Sequence, residues 1–450
     1  MARVRGCRFA IALCVLQGIA ATSLAAPASQ TKIFIDDVWA GTRVGFDAVR
    51  VGDKVYIGYY DSSRHLAVAE ADLHTFAVRK IRLESQFSGW DSHNYIVLSF
   101  DNFGFLHVSG NEHASSLVYA RMTVPNELSS LTLLNRMTGE LEEHVTYPEF
   151  FRGNDGRLIF VYRDGGSGNG NYIVKTFNGR SWENLIGTPL FGSSGTNGSV
   201  SAYPTNFRKN IDGNFCVAWV WRRTPDVSTN SDISYACSAD LKIWLRYDGV
   251  KLDLPIEQGS GAGVVSVPEN SGLFNDIKLG ESGKGEPVIS FLKYDEKGST
   301  QLFHAALING AWVVKAVTKW SYRWSFGGKK SIQSEISFSG LNRQHGQYVE
   351  RVFNSKYGTK LYLFENDGST VSSINDVKPS HPENLDIDYK RPLNRIVSTV
   401  RGAGDSTRFW LNWGAYSPDN RDAPRRCFSQ GKPDQCELSS KLFLIGGPVH

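Results

Sequence analysis

The sequence has no long hydrophobic run after residue 26, and it contains only 6 Cys and 3 Met in 450 residues. A membrane-spanning helix needs about 20 apolar residues in a row, so we do not expect the rest of the chain to cross a membrane. A strong charge of one sign is also missing, because Arg3, Arg5 and Arg8 carry three of the four net positive charges. A nearly neutral remainder is a poor candidate for nonspecific nucleic-acid binding, so no nucleic-acid partner is expected, whereas a local basic cleft for an acidic substrate is compatible with it.

Residues 1–26 have the pattern of a secretory signal. A basic start is followed by a mostly apolar stretch at 9–21 and by small residues at 23–26 that offer cleavage sites. The apolar stretch is short for a membrane span, and an uncleaved anchor is the alternative. We therefore expect a secreted or periplasmic protein in which residues 27–450 form a single domain.

Four cysteines remain once the signal is removed. Export makes a disulfide between Cys427 and Cys436 plausible. Cys216 and Cys237 lie on two apolar, strand-like segments, where they could pair, bind a metal or remain as thiols. Buried thiols are the interpretation that we favour.

Long helical patterns are almost absent from the mature chain, whereas aromatic residues reach 12%. Short runs rich in Val, Ile, Tyr, Phe and Trp alternate with Gly, Asn and Asp, which is typical of many antiparallel strands. One local pattern recurs, in which a polar turn precedes an apolar strand and a further turn and strand follow. Its seven copies begin at Gly52, Asp101, Asn154, Asp212, Ser282, Asn342 and Tyr389.

Seven such copies predict an all-β fold, a single-domain, seven-bladed β-propeller. Each copy alone would expose a sheet edge and an apolar face, and stacking the sheets around an axis hides both. The last two copies are the weakest, so six or eight blades are alternatives, as is a pair of β-sandwiches.

Two histidines flank one predicted hairpin. His93 precedes the strand NYIVLSF, and His113 follows the strand FGFLHVSG. Because a turn joins these strands, both histidines are expected at the same open end, despite their separation in sequence. Such a pair suits proton transfer or metal binding, although a single histidine is more often structural.

The next two copies repeat this placement with other residue types. Tyr147 and Arg163 flank one hairpin, and Tyr203 and Arg222 flank the following one. The simpler explanation is that Tyr-Pro starts a turn and that arginine ends a strand in solvent. The regular placement nevertheless predicts that these side chains meet the histidines at one end of the propeller.

His, Tyr and Arg without an obvious pair of carboxylates favour elimination over hydrolysis. Glycoside hydrolases normally use two carboxylates, and Glu149, Asp164 and Asp91 do not form a clear pair. Eliminative cleavage of a uronate polymer needs a base for the C5 hydrogen, an acid for the leaving oxygen, and a group that neutralises the carboxylate. His and Tyr can serve as base and acid, and Arg binds carboxylates in a bidentate manner.

Segments such as SHNYIVLSFDNFGFLHVSGNEH and YPEFFRGNDGRLIFVYRDGGSGNGN resemble the BNR-4-type propeller lyases, over most of residues 32–320. That group includes ulvan lyases and L-rhamnose-α-1,4-D-glucuronate lyases. The resemblance implies a seven-bladed propeller that cleaves by β-elimination and leaves an unsaturated uronate. It also implies that His93, His113, Tyr147 and Arg163 are catalytic.

The resemblance further assigns Tyr203 and Arg222 to substrate binding, and we add Asn94 and Trp221 as predicted substrate contacts. Some relatives hold a calcium ion in the central channel, so a structural Ca²⁺ is an expectation, although no calcium loop stands out and no metal ligand is assigned. Relatives often carry a histidine where this chain has Thr42-Arg43. A second site for rhamnose release is therefore not expected.

The predicted function is cleavage of the L-rhamnose-α-1,4-D-glucuronate linkage in ulvan or in arabinogalactan side chains such as those of gum arabic. No cofactor is expected to be required for the chemistry, and a monomer is expected. One alternative is an α-L-rhamnosidase. Another is a non-catalytic carbohydrate-binding propeller, in which Trp90, Trp221, Trp320 and Trp324 would stack on sugars.

Overall fold

The computed structural model describes residues 31–344, 346–365, 370–375, 389, 393–402, 407–425 and 438–448. The predicted signal segment and the predicted Cys427–Cys436 disulfide lie outside these residues, so both stay predictions.

Almost all regular structure in the described residues is β-strand, which confirms the all-β prediction. The exceptions are two short 3-10 turns, Leu128–Ser130 and Val227–Thr229. In this part of the chain, no helix is long and apolar enough to cross a bilayer.

The strands are numbered in chain order. Those of the first half are β1 Thr31–Trp39, β2 Asp47–Val51, β3 Lys54–Tyr60, β4 His65–Asp72, β5 Val78–Gln86, β6 Val97–Phe100, β7 Leu106–Ser109, β8 Tyr119–Met122, β9 Leu131–Leu133, β10 Val145–Arg152, β11 Leu158–Gly166, β12 Asn169–Phe177, β13 Trp182–Asn184, β14 Ser194–Gly195, β15 Gly198–Ser199, β16 Ser201–Pro204 and β17 Arg208–Lys209. Those of the second half are β18 Phe215–Arg222, β19 Asn230–Ser238, β20 Gly263–Val265, β21 Lys278–Glu281, β22 Pro287–Tyr294, β23 Thr300–Ile308, β24 Ala311–Ala316, β25 Ile336–Phe338, β26 Asn342–Gln344, β27 Gln347–Asn354, β28 Gly358–Phe364, β29 Thr370–Asn375, β30 Asn394–Thr399, β31 Thr407–Ala415 and β32 Ser439–Pro448.

Apart from β14, β15, β17 and β26, the strands of the described residues fall into seven antiparallel groups of four, and we call these groups blades one to seven. Their members are β2 to β5; β6 to β9; β10 to β13; β16, β18, β19 and β20; β21 to β24; β25, β27, β28 and β29; and β30, β31, β32 and β1. The first strands of neighbouring blades contact each other, since β6 touches both β2 and β10. These first strands therefore lie innermost.

The seventh blade joins the two ends of the described chain. β1 pairs with β32 along its whole length, from Thr31 opposite Gly446 to Trp39 opposite Ser439, so the first described strand completes a sheet built by the last three. An antiparallel strand pair of this length ties the ring shut, because opening the ring would require breaking the backbone hydrogen bonds between β1 and β32.

The middle strands of the blades are buried on both faces. All eight residues of Phe215–Arg222 are buried, and six of the seven residues of Lys54–Tyr60 are buried. A sheet with one solvated face would instead alternate buried and exposed positions. Stacking blade against blade covers both faces, which explains the continuous apolar runs in the sequence.

The seventh sequence repeat was predicted one strand out of step. We placed its turn at Tyr389 and took the segment up to Val400 as the apolar strand that directly follows this turn, which in the other six blades is the second strand of the blade. The structure makes Asn394–Thr399 the first strand of its blade and Thr407–Ala415 the second. The segment is short and only partly apolar, so its pattern does not distinguish an inner strand from the fully buried one that follows.

Cys216 and Cys237 form a disulfide, which corrects the favoured prediction of buried thiols. The two residues face each other directly across β18 and β19. That register brings the two sulfur atoms together, and the sequence alone could not show it.

Candidate functional site

A cavity of about 220 Å³ lies at the end of the propeller where the inner strands β6, β10 and β16 begin. Loops and strand ends from several blades surround it, which is where a propeller brings together residues that are distant in sequence. The lining residues are Ser92, His93, His113, Tyr147, Arg163, Ser167, Tyr203, Arg222, Pro225, Val227, Phe274, Asn275, Gly328, Lys329, Lys330, Ser331, Ile332 and Pro418.

The two predicted histidines lie side by side, as expected for residues at the same open end of one hairpin. The imidazoles of His93 and His113 stack with their ring centroids 4.5 Å apart and their planes at 25°. Both rings contact the same carboxylate: Nδ1 of His93 lies 2.6 Å from Oδ1 of Asp91, and Nδ1 of His113 hydrogen-bonds to Oδ2. One aspartate therefore bridges both imidazoles.

Burial would by itself raise the pKa of the Asp91 carboxyl. The hydrogen bonds from His113 and His93 outweigh this effect and hold that pKa well below its usual range. Asp91 is therefore an anion at neutral pH and accepts hydrogen bonds from both rings.

Tyr147 reaches the cavity through an irregularity in β10. The pairing of β10 with β11 shifts register between Thr146 and Glu149, which is a β-bulge. Tyr147 sits in this bulge with a φ of 59°, a conformation that residues other than glycine seldom adopt. Bulges near functional sites redirect a side chain, and here the ring lies edge-on to His93 with the centroids 5.7 Å apart.

The Tyr147 phenol is protonated at neutral pH. Burial and the neighbouring Tyr203 raise its pKa to about 12, although Arg163 and Arg222 oppose this shift. At neutral pH the side chain can therefore donate a proton, but it does not act as a preformed phenolate base.

Arg163 is nearly inaccessible, with 1% of its surface exposed. Its guanidinium lies over the rings of Tyr147 and Tyr203, with Cζ 4.9 and 5.7 Å from their centroids. It donates hydrogen bonds to the Tyr203 hydroxyl and to Oγ1 of Thr146, each at 3.2 Å. Within the described residues it has no carboxylate partner.

Arg222 forms the opposite wall and shares the Tyr203 hydroxyl, which accepts its Nη1 hydrogen bond at 3.1 Å. It also donates to Oδ1 of Asn230 at 2.7 Å and to Oδ1 of Asn275 at 2.5 Å. These partners are neutral. They hold the guanidinium in place without cancelling its charge.

The cavity is strongly cationic. Arg163, Arg222, Lys329 and Lys330 line it, and no Asp or Glu appears among its described lining residues. A buried charge that lacks a counter-ion is costly, so proteins normally pair such groups. An anionic ligand would supply the missing negative charge.

Residues 327–332, which we call the strap, cover one side of the cavity. The amide of Gly328 donates to Oδ1 of Asp226 at 2.7 Å, and the amide of Ser331 donates to Oδ2 of Asp422 at 2.8 Å. Gly328 has a φ of +85°, which favours glycine at this bend. The strap therefore bridges loops that belong to blades four and seven, and it brings Lys329 and Lys330 to the cavity.

The structure brings together six predicted residues, namely His93, His113, Tyr147, Arg163, Tyr203 and Arg222. The other two predicted contacts do not line the cavity. Asn94 donates its side-chain amide to the carbonyl of Asp91 at 3.1 Å and so holds the histidine loop. Trp221 is only 1% exposed in the core of blade four, where it has no face for a sugar, so its assignment as a substrate contact is corrected.

The other tryptophans proposed for sugar stacking do not line the cavity either. Trp320 and Trp324 are buried, and Trp90 is half-buried against Trp39, with ring centroids 5.2 Å apart. These tryptophans therefore pack within the blades, which is the simpler alternative to stacking on sugars.

Sequence reasoning missed Asp91, Ser167, Asn275, Lys329 and Lys330. Asp91 lies two residues before His93, but it has no obvious partner carboxylate of the kind that glycoside hydrolysis needs. The others lie in loops whose position depends on contacts with distant blades. Only the neighbouring glycines of the strap hinted at a bend.

Among the described residues, Asp91, His93 and His113 are the group whose potential ligand atoms lie within 4.8 Å of one another. Two atoms bound to one Zn²⁺ at about 2.1 Å would lie roughly 3.4 Å apart in a tetrahedral site. Nδ1 of His93 is 2.6 Å from the carboxylate, so this geometry fits a hydrogen bond and not coordination of a shared ion. Calcium prefers oxygen ligands, which two imidazoles do not provide, and the expected channel Ca²⁺ stays a prediction.

Residues 54–320 match the model of a family described as BNR repeat-containing family member. The chain belongs to this BNR repeat-containing family. No curated protein sequence matches it significantly.

Two solved structures resemble this BNR repeat protein along most of its length. The polysaccharide lyase Uly1 has a TM-score of 0.61 at 14% identity, covering 94% of this chain and 100% of its own. A PL25 ulvan lyase bound to -[GlcA(1-4)Rha3S]- has a TM-score of 0.56 at 14% identity, covering 86% of this chain and 93% of its own. At such identities the likeness concerns the fold, and it confirms the β-propeller prediction.

Proposed function

We propose that the protein is a polysaccharide lyase that cleaves an acidic polysaccharide by β-elimination beside a uronate. The observation that carries the proposal is the cavity in which buried Arg163 and Arg222 meet two histidines and a phenol, without a lining carboxylate. A uronate carboxylate would provide the missing negative charge. The same cavity lacks the two facing carboxylates that glycoside hydrolysis normally uses.

The first step is acidification of the C5 hydrogen. Arg163 binds the uronate carboxylate and stabilises the negative charge that spreads onto it as the C5–H bond breaks. A neutral imidazole of the stacked pair accepts that proton. Placing donors where charge develops commonly contributes a factor of about 10²–10³ in rate for each donor.

Departure of the neighbouring sugar completes the reaction. The electron pair from the C5–H bond forms the C4–C5 double bond, and the bond from C4 to the glycosidic oxygen breaks. Tyr147, protonated at neutral pH, donates its proton to that oxygen, which leaves with the neighbouring sugar. No water enters the products.

The finer proposal is that the substrate contains glucuronate linked to rhamnose. The bound -[GlcA(1-4)Rha3S]- of the PL25 ulvan lyase supports this choice, because that protein has a similar fold. A cavity of about 220 Å³ suits roughly one sugar ring at the reacting position. Ulvan and rhamnose-capped arabinogalactan are both candidate polymers.

We also propose that the protein acts outside the cytoplasm as a monomer. The signal-like pattern of residues 1–26 supports export, as does the Cys216–Cys237 disulfide, since disulfides persist in oxidising compartments.

The test is incubation with ulvan, gum arabic and other glucuronate polymers while ultraviolet absorbance and product mass are followed. Elimination yields a conjugated unsaturated uronate, and each cleavage leaves products lighter by one water than hydrolysis would. In ¹⁸O-labelled water, elimination incorporates no label. New reducing ends that carry ¹⁸O without the absorbance would establish a hydrolase instead.

A pair of arginine variants connects the activity to the cavity. Arg163→Lys retains charge but loses the planar donor fork, so kcat/KM should fall about 10²–10³-fold. Arg157→Lys is the control. Arg157 belongs to the same hairpin but lies outside the cavity, where it pairs with Asp155. Equal activity of both variants and wild type would remove Arg163 from the mechanism.

A further inference from the structure

Asp91 has a role that the elimination chemistry does not by itself assign. Its two carboxylate oxygens are divided between two rings, with Oδ1 facing Nδ1 of His93 and Oδ2 facing Nδ1 of His113. The other ring nitrogen, Nε2, has no hydrogen-bond partner in the described part of the chain for either histidine. Both rings line the cavity.

We propose that Asp91 is the positioning residue that sets the tautomer of both histidines and thereby presents both Nε2 atoms to the substrate. The reasoning is that a carboxylate can only accept hydrogen bonds, so each Nδ1 in contact with it must carry a proton. In its neutral form, each imidazole then has its lone pair on Nε2. The catalytic part of this inference rests on the proposed lyase function.

Asp91 is itself held firmly enough for this task. Its Oδ1 accepts the backbone amide of His93 at 2.9 Å, and its carbonyl accepts the amide of Asn94 at 3.3 Å and the Asn94 side chain at 3.1 Å. These contacts form a compact turn, which limits the rotation of the carboxylate. One rigid loop therefore supplies the aspartate and the first of the two imidazoles that it orients.

Other histidines of the protein differ in this respect. His107 is fully buried, with Nδ1 bonded to the Tyr119 hydroxyl at 2.7 Å and Nε2 3.3 Å from Oδ2 of Asp101, so neither nitrogen is free. Nε2 of His304 lies 2.6 Å from Oε2 of Glu350 in another buried contact, and its Nδ1, although without a hydrogen-bond partner, is buried and does not line the cavity. Those pairs stabilise the packing of the blades. The Asp91 arrangement alone among the three leaves a ring nitrogen unpartnered on each histidine beside a cavity.

The decisive variant is Asp91→Asn, which keeps the shape of the side chain. Its amide oxygen can accept from one Nδ1, but its NH₂ group must donate to the other, which forces that second proton onto Nε2. With ¹⁵N-labelled histidine, NMR of the substrate-free protein should show both rings protonated on Nδ1 in wild type. One of the two should change tautomer in the variant.

The kinetic expectation is a fall in kcat of about 10²–10⁴-fold with little change in KM, because a wrong tautomer impairs proton transfer more than binding. Asp53→Asn is the matched control. Asp53 pairs with exposed His74 at 3.2 Å outside the cavity, and its loss should change neither kcat nor the spectra of His93 and His113.

The two proposals fail in distinguishable ways. If wild type releases no unsaturated product from any uronate polymer, the lyase proposal fails, while the ¹⁵N spectra still decide the tautomers. If the spectra of His93 and His113 are the same in wild type and in a folded Asp91→Asn variant, the positioning role is wrong. A folded variant with wild-type kcat would overturn it as well.

Discussion

Tyr147 shows how much a single residue depends on its backbone. Its φ of 59° is unusual for a residue other than glycine, and such conformations cost about 1–3 kcal/mol unless the surroundings impose them. The bulge in β10 imposes it, and the ring then lies between His93 and Tyr203, with centroids 5.7 and 5.9 Å away. The position of the ring is consistent with a functional constraint on this turn.

Replacing Tyr147 with Phe removes the proposed proton donor but keeps the ring. Because the phenol has a pKa raised to about 12 and is protonated at neutral pH, its loss should lower kcat about 10²–10⁴-fold. Steady-state kinetics with the ultraviolet readout measures the effect, and circular dichroism confirms the fold.

Tyr162→Phe is the control for this change. The Tyr162 hydroxyl donates to the carbonyl of Leu141 at 2.9 Å in the core of the same blade. Its loss should cost about 1 kcal/mol of stability and leave kcat unaltered. Equal kcat in Tyr147→Phe and wild type would show that another group protonates the leaving oxygen.

At the scale of single residues, the sequence predicted the residues proposed to react with the substrate better than the residues that hold them in place. His93 and His113 could be paired because one hairpin places both at its open end. Asp91 could not be recognised, since its value lies in reaching two rings at once, which depends on side-chain geometry. Trp221 was misjudged for the opposite reason: an aromatic residue beside Arg222 can face either the cavity or the core, and only packing decides between them.

At the scale of elements, the strap is the part of the site that depends most on neighbours. It has no regular structure of its own, and its amides bond to Asp226 and Asp422 from separate blades. Ser331 also contacts Ser92 on the histidine loop, with their hydroxyl oxygens 3.3 Å apart. No local pattern in the sequence could place such a segment, because its position is set by partners far away in the chain.

Replacing Asp226 with Ala should release one end of the strap. The carboxylate accepts the amides of Gly328 and Ser228, and these hydrogen bonds hold its pKa below the usual range. Losing a hydrogen bond to a charged group costs about 1.5 kcal/mol, which is roughly tenfold in an equilibrium constant. We expect KM to rise about tenfold, because Lys329 and Lys330 are no longer held at the cavity, with a smaller change in kcat.

Asp240→Ala provides the comparison for this experiment. Asp240 accepts the amides of Lys242 and Ile243 in a similar turn that does not touch the cavity. Its replacement should lower stability without raising KM. If both alanine variants raise KM equally, the effect comes from general loosening of the protein and not from the strap.

At the scale of the whole molecule, the overall fold was the easiest feature to predict, and the closure of the ring was the hardest. Strands buried on both faces leave a strong apolar signal, and seven repeats of it indicated the propeller. The sequence gives no such signal for the closure of the ring by β1. The pattern of Thr31–Trp39 is that of any other strand, and it does not show that this strand pairs with β32, the last strand of the described chain. The misplaced seventh repeat belongs to that same blade, which is assembled from both ends of the described chain.

The pH dependence of stability reflects carboxyl groups buried by this assembly. Burial raises the pKa of Glu112 to about 8, and Glu112 is fully inaccessible. Between about pH 4.5 and 8 the folded protein keeps this proton, whereas the unfolded chain releases it. Unfolding is then accompanied by proton release, so stability must fall as pH rises, by up to about 1.4 kcal/mol per pH unit.

Glu112→Gln should remove this contribution. The amide can donate to the Ser109 hydroxyl, and its oxygen can accept the amide of Val118, which are the two present partners of the carboxyl. Denaturation midpoints measured between pH 5.5 and 7.5 should therefore decline less in the variant than in wild type. Parallel profiles for wild type and Glu112→Gln would show that Glu112 is ionised in the folded protein.

Glu142→Gln should change the profile in the opposite sense. Glu142 pairs with Lys175 at 2.6 Å, and this contact offsets the effect of burial and lowers the pKa of Glu142. The contribution of the native carboxylate to the stability of the protein is therefore lost only as the pH falls to acid values.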